Sequence, residues 1–155
     1  MKNFKLNGGQ SLFEVLFAVA IASIVLVGVV SLASTSIRNS DFSQNNALAT
    51  KYAQEGMEWI RQYRDTDWDE SKSHSSDIIH TTWCLDTLPY PPPTWGLSNT
   101  CSGPISGTIF TRQVELWRED ATNTNVVHVA VKVIWNDSQG DHEIITQSDL
   151  SDWNR

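Results

Sequence analysis

The chain has 155 residues, 40% of them hydrophobic, with 18 acids against 11 bases and a net charge of −7. That length holds one modest domain and excludes a multidomain enzyme, and the acidic balance disfavours a general nucleic-acid binder, which needs a basic face. The composition is too ordinary for a disordered tail, yet the mean hydropathy of −0.29 suggests a plain soluble protein only because it averages over an uneven chain.

The unevenness begins at the N-terminus. Within residues 12–33 only Glu14, Ser23, Gly28 and Ser31 fall outside the hydrophobic set, and residues 15–33 carry no charge over 19 positions. About 20 apolar residues span a bilayer core as a helix. Lys2 and Lys5 precede the run with no acid beside them. Basic flanks stay cytoplasmic, so the N-terminus is expected inside and everything after Ser34 outside. Charge segregates in the same way: residues 65–155 hold 14 acids against 5 bases, a net −9, while residues 1–10 carry +2. A cleavable secretory signal is the competing reading, with Ser31-Leu32-Ala33 as a small-residue cleavage site. The length of the run and the acid near its start argue against it. A carboxylate in a membrane helix costs roughly 2.5–3.5 kcal/mol near the centre and less at the edge, and an intramembrane acid without a local partner reads as functional. No base follows within the next turns, so the partner of Glu14 is expected on another chain.

The stretch Gly8-Gly9-Gln10-Ser11-Leu12-Phe13-Glu14-Val15-Leu16 resembles the processing signal of type IV pilins and type II secretion pseudopilins. Basic leader, glycine, acid spacing and apolar run all coincide. The resemblance implies a leader over residues 1–9, cleavage after Gly9 by a prepilin peptidase on the cytoplasmic side, and methylation of the new amine of Gln10. The family usually carries Phe where this chain has Gln10. It also implies that Glu14 meets the N-terminal amine of a neighbouring subunit, an attraction that a low-dielectric bundle strengthens and without which each charge is costly.

Beyond Ser34 the composition turns polar, but no proline occurs before Pro89. Ala49, Tyr52, Ala53, Gly56, Ile60 and Tyr63 recur at three- and four-residue steps, which predicts an amphipathic helix with one apolar stripe. Glu58 with Arg61 or Gln62 adds a little on the polar side. A helix over residues 11–64 would be about 80 Å long. Pilins are similar in plan, with one long N-terminal helix whose second half packs on an antiparallel sheet. Residues 54–65 also resemble the helix end of V- or I-type minor pilins.

Residues 65–108 are loop-rich and contain the extended, stiff run Pro89-Tyr90-Pro91-Pro92-Pro93. A short strand is expected over residues 78–85. Residues 107–118 alternate, with Phe110, Val114 and Leu116 on one face. Residues 126–135 alternate more cleanly: Val127, Val129, Val131, Val133 and Trp135 oppose His128, Ala130 and Lys132. Residues 144–147 follow a turn-rich connector, Asn136-Asp137-Ser138-Gln139-Gly140. Three sequential strands with short links predict an antiparallel meander. Only 30 of the 91 residues from Asp65 onward are hydrophobic, so the helix stripe is needed to complete the core. Cys84 and Cys101 are the only cysteines, both on the expected outside, and read as a disulfide worth about 3 kcal/mol in the chain-entropy model. It precedes the last strands, unlike the disulfide of many major pilins, so a receptor-binding loop is not implied.

Other constellations have plainer readings. Asp65-x-Asp67-x-Asp69-Glu70 resembles the start of a calcium loop but lacks its glycine and closing acid. An acidic helix exit explains it better. Asp141-His142-Glu143 and His128 read as strand-surface polar residues, and Asn136-Asp137-Ser138, a glycan sequon, reads equally as a hairpin turn. Of the seven tryptophans, Trp135 reads as core, while Trp68, Trp83 and Trp95 are open to partner contact.

The resulting expectation is an α+β, pilin-like chain. It has a leader (1–9), a membrane and filament-core helix (10–34), its amphipathic continuation (35–64) and an exported antiparallel β domain (65–155). It is a non-enzymatic subunit of a type IV pilus or type II secretion-like filament, with no cofactor or metal and no direct nucleic-acid contact. It starts as a single-pass precursor in the cytoplasmic membrane and ends in an extracellular or periplasmic filament. Its partners are the prepilin peptidase, other subunits and the assembly platform. Two alternatives stand beside it. One is an adhesive or carbohydrate-binding module with an ordinary export signal. The other is a competence pseudopilin.

Overall fold

The computed structural model describes residues 12–77, 80–88, 96–97, 101, 103–119 and 125–152. It is α+β: one long helix, apolar in its N-terminal part, and a small, mainly antiparallel sheet. Helix α1 runs Leu12–Thr66, and a short helix α2 spans Trp68–Ser73. The strands are β1 (Ser76–Asp77), β2 (Thr81–Cys84), β3 (Gly96–Leu97), β4 (Thr111–Arg118), β5 (Val126–Asp137) and β6 (Gly140–Ser151). Their order in the sheet is β3-β2-β4-β5-β6. β1 pairs with the end of β4 in parallel, a departure from the all-antiparallel expectation. The chain divides into two compact units, residues 1–44 and 45–155, later than the change in composition at Ser34.

The described part of the first unit is helix alone. Its apolar side chains face outward, with Phe13 80%, Leu12 78% and Ile24 73% exposed. Its polar residues spare the surroundings their hydrogen-bonding needs. Ser23 donates its hydroxyl to the Val19 carbonyl at 2.8 Å and Thr35 to that of Ser31 at 3.0 Å. Such i−4 bonding satisfies these two hydroxyls within the helix itself, as an apolar medium requires. Among the described residues this is the one helix long and apolar enough to cross a membrane, and it has the composition of an anchor or an export signal.

The second unit is built on the amphipathic end of α1. Ala49, Ala53, Gly56, Met57, Trp59, Ile60 and Tyr63 are buried, against the inward face of the sheet at Val114, Leu116, Val127, Val129, Val131, Val133 and Trp135. Tyr52 of the expected stripe is only half-buried, at its edge. Two aromatic columns tie the layers together. Trp59, Tyr63, His74 and Trp83 follow one another at 5.8, 6.0 and 5.1 Å between ring centroids, joining α1, the end of α2 and β2. Tyr52, Phe110, Trp135 and His142 follow at 5.3, 5.8 and 5.2 Å, joining α1, β5 and β6.

The helix ends at Thr66, not Arg64, because Asp67 leaves helical geometry (φ −153°, ψ 101°) and its side chain caps α2 by accepting the Glu70 N–H at 2.9 Å. β4 begins at Thr111, not at residue 107, because Gly107 (φ 75°) belongs to a turn. β2 is confined to Thr81–Cys84, and the Cys84–Cys101 disulfide is formed at its end. β6 is three times the expected length and pairs with β5 in unbroken register from Asp137↔Gly140 to Val126↔Ser151. The proline run, Trp95 and Trp153 lie outside the described residues.

Gly56 marks the closest approach of helix to sheet. A Cβ there would lie 2.9 Å from Val131 Cγ1 and 3.0 Å from Arg112 Cδ. A Gly56→Val substitution is expected to destabilise the head by about 2 kcal/mol: the overpacking cost of about 1–3 kcal/mol outweighs the modest gain in helix propensity. Gly28→Val, with no heavy atom within 4 Å of the added carbon, is the control and leaves the head's melting temperature unchanged. Thermal melting of the two variants in the same detergent checks both.

Candidate functional site

Two regions carry the residues that sequence reasoning singled out. The first is the beginning of α1. Glu14 lies in the first described turn of α1. It shares a shallow apolar hollow with Phe13, Phe17 and Ala18, and Phe17 is 69% exposed. Among the described residues no base lies in ion-pair range of Glu14. The nearest charged residues along the helix are Arg38 and Asp41. The arrangement is a carboxylate held on an apolar, outward-facing surface. Gly9 and Gln10 lie outside the described residues.

The second is the outward face of the sheet. β4 turns Glu115 and Trp117 to this side, and the register sets Trp117 opposite His128. His80, just before β2, stacks on the Trp117 ring at 4.4 Å and His128 stacks on it at 5.4 Å from the neighbouring strand. Carboxylates frame the stack. Glu115 lies 3.4 Å from His80 and 3.5 Å from Lys132, and Asp149 lies 2.8 Å from His128. Trp83 points inward and donates its indole N–H to the His74 carbonyl at 3.1 Å.

The candidate calcium ligands do not converge. Asp65 is helical and pairs with Arg64, Asp67 is occupied as a cap, and Asp69 pairs with Lys72 at 3.4 Å. Among the described residues no group of three or more His, Cys, Asp or Glu is arranged to hold a metal ion. The sequon Asn136-Asp137-Ser138 runs from the end of β5 into the β5–β6 turn. Asn136 donates to Asp141 Oδ1 at 2.6 Å, and Asp137 Oδ1 accepts the Gln139 N–H at 2.7 Å. That backbone bond, with the His142 ring 3.0 Å away, holds the Asp137 carboxyl below its ordinary range. A group with a lowered folded value stabilises above its unfolded value of about 3.9 and loses that contribution as pH falls through the folded one. The protection of the Gln139 amide, relative to its intrinsic exchange rate at each pH, is therefore expected to fall as the solution is acidified below pH ~4, and Asp137→Asn is expected to remove that fall.

One residue was missed. Arg112 occupies an inward position of β4, between Phe110 and Val114, with only 3% of its side chain exposed. It donates from Nε to the Leu85 carbonyl at 2.9 Å and from one terminal nitrogen to the Tyr52 carbonyl at 3.1 Å, and it lies 3.6 Å from Glu55. Burial lowers its pKa and the Glu55 charge opposes the shift; a guanidinium stays charged regardless. The period-two count places Arg112 inward and was the signal available. Its neighbour Glu55, with Lys51, Glu58, Trp59 and Leu88, also lines an open groove of about 470 Å³.

No protein family, curated protein or solved structure matches this chain.

Proposed function

We propose that this chain is a structural and assembly subunit of a pilin-type filament, a minor pilin or pseudopilin, and not an enzyme. The observation that carries the reading is Glu14: a single carboxylate near the start of an outward-facing apolar helix that continues into an acidic head. An ordinary membrane anchor has no use for it, whereas a bundle of such helices gives it a partner.

On this reading the precursor inserts with Lys2 and Lys5 in the cytoplasm. The peptidase cuts after Gly9 and methylates Gln10. The assembly platform lifts the mature chain from the bilayer into the filament. The apolar helix exchanges lipid for neighbouring helices, a nearly neutral change in hydrophobic terms, so the pairing of Glu14 with a neighbour's N-terminal amine supplies register. The head stays outside the membrane, and the net −9 of residues 65–155 opposes binding to a nucleic-acid backbone.

The test is the intact mass of the mature protein made alongside a prepilin peptidase. The expected mass begins at Gln10, with one added methyl group and two hydrogens fewer for the disulfide. A mature chain beginning at Ser34 overturns the reading in favour of an ordinary export signal. A Gly9 substitution that leaves processing intact overturns the peptidase step.

A further inference from the structure

We propose that the outer edge of β6 is a docking site for an extended, basic strand of a partner protein, added to the sheet next to β6. The inference rests on the head alone and stands whether or not the filament reading does.

The two ends of the sheet differ. One ends in β3, described at Gly96–Leu97. The other ends in β6, twelve residues long, and among the described residues no strand pairs with its outer side. Every second residue of such an edge directs its N–H and C=O away from the sheet as a template for another strand. Natural edges of this length are blunted by proline, by inward-pointing or edge lysines, or by a bulge. β6 has no Pro, Lys or Arg, and its register with β5 is unbroken over all twelve residues. Among the described residues the blunting device on this edge is negative charge: Asp141, Glu143 and Asp149 all lie on the outward face and are exposed.

That device is selective. It disfavours a second copy of this chain. Two β6 strands paired about Thr146 set Glu143 against Asp149, and pairing about Ile145 sets Asp141 against Asp149. Like charges directly opposite are destabilising. A basic strand meets the reverse situation. Glu143, Ile145, Gln147 and Asp149 follow one another at two-residue steps on the one face, and Ile145 is 45% exposed. The complementary strand carries an apolar residue opposite Ile145 and a lysine or arginine opposite Glu143 and Asp149. Main-chain hydrogen bonds then supply affinity, and the alternate side chains supply specificity.

The experiment uses the full chain in detergent micelles, isotope-labelled so that backbone amides are observed singly. The probe is the peptide Lys-Thr-Val-Thr-Thr-Thr-Lys, its acidic counterpart with Glu for Lys, and two forms N-methylated on alternate amides. The basic peptide is expected to bind, to slow amide exchange along β6 and to shift β6 resonances more than those of β3 or α1. Glu143→Lys with Asp149→Lys is expected to weaken it at least tenfold. One N-methylated form is expected to lose binding and the other to keep it, since only one set of amides faces β6. Equal binding of both methylated forms, equal binding of the acidic peptide, protection elsewhere than β6, or no binding of the basic peptide overturns the proposal. So does a dimer of the unmodified chain that is lost on altering β6, which makes a second copy the occupant.

Discussion

Replacing Glu14 with leucine is expected to leave the precursor in the membrane and the head folded, while the subunit disappears from assembled filaments. The energetics separate the two outcomes. A carboxylate within a membrane helix opposes insertion by up to roughly 3 kcal/mol, and leucine removes that penalty. Insertion therefore improves, or stays complete, and cannot account for a loss of assembly. The head is untouched, because Glu14 lies in the helical stretch that makes up the first compact unit. On the proposed reading, only a contact between subunits is lost. Glu14→Asp keeps the charge but is one methylene shorter, so it falls between the two. In cells that carry the peptidase and the assembly machinery, the ratio of sheared-filament to membrane protein is the measurement. A fall of at least tenfold is expected for leucine. Leucine variants present in filaments at the wild-type level would falsify the role assigned to Glu14.

Much of the architecture could be read from residue patterns, and the exceptions have physical causes. The valines of β5 alternate without interruption because that strand lies inside the sheet, with its inner face fully covered. β6 is equally long, yet only residues 144–147 looked like strand. As the edge strand its inner side is half covered, so His142, Thr146 and Ser148 are tolerated there and the apolar alternation fails. β1 and β3 are two residues each and leave no periodic trace; main-chain pairing alone defines them. The Asp-x-Asp run after α1 looked like a cation loop because capping and cation binding both draw on acidic oxygens near a chain reversal. The Asp67 bond to the Glu70 N–H resolves the choice. Of the candidate site, Glu14 was legible because it interrupts an apolar run. The stack of His80, Trp117 and His128 was not, since it is assembled from three separate segments by sheet register. Arg112 was overlooked because a charge in an apolar alternation reads as an interruption unless its register is counted.

Arg112→Ala is expected to damage the head severely, lowering stability by about 3 kcal/mol. Three losses combine. The Leu85 carbonyl gives up a charge-assisted donor at 2.9 Å, and the Tyr52 carbonyl one at 3.1 Å. The aliphatic stem, which sits against the Gly56 position, leaves a void beneath the helix. Glu55 loses its cation, but 42% of its side chain is exposed, so water replaces the partner. That exposure places the cost at the low end of the roughly 3–5 kcal/mol typical of a broken buried pair. For a head of this size the change amounts to a fall in melting temperature of about 12 °C. Lysine keeps the charge but presents one compact ammonium where the guanidinium reaches two carbonyls on different elements. Arg112→Lys is therefore expected to recover less than half of the loss. Glu55→Gln, which removes a partner that water already reaches, is expected to cost less than about 1 kcal/mol. Thermal melts of the three variants give the order, with wild type above Glu55→Gln, then Arg112→Lys, then Arg112→Ala. An alanine variant melting within two or three degrees of wild type would mean that the helix is held to the sheet by its apolar stripe alone, with Arg112 a passenger beneath it.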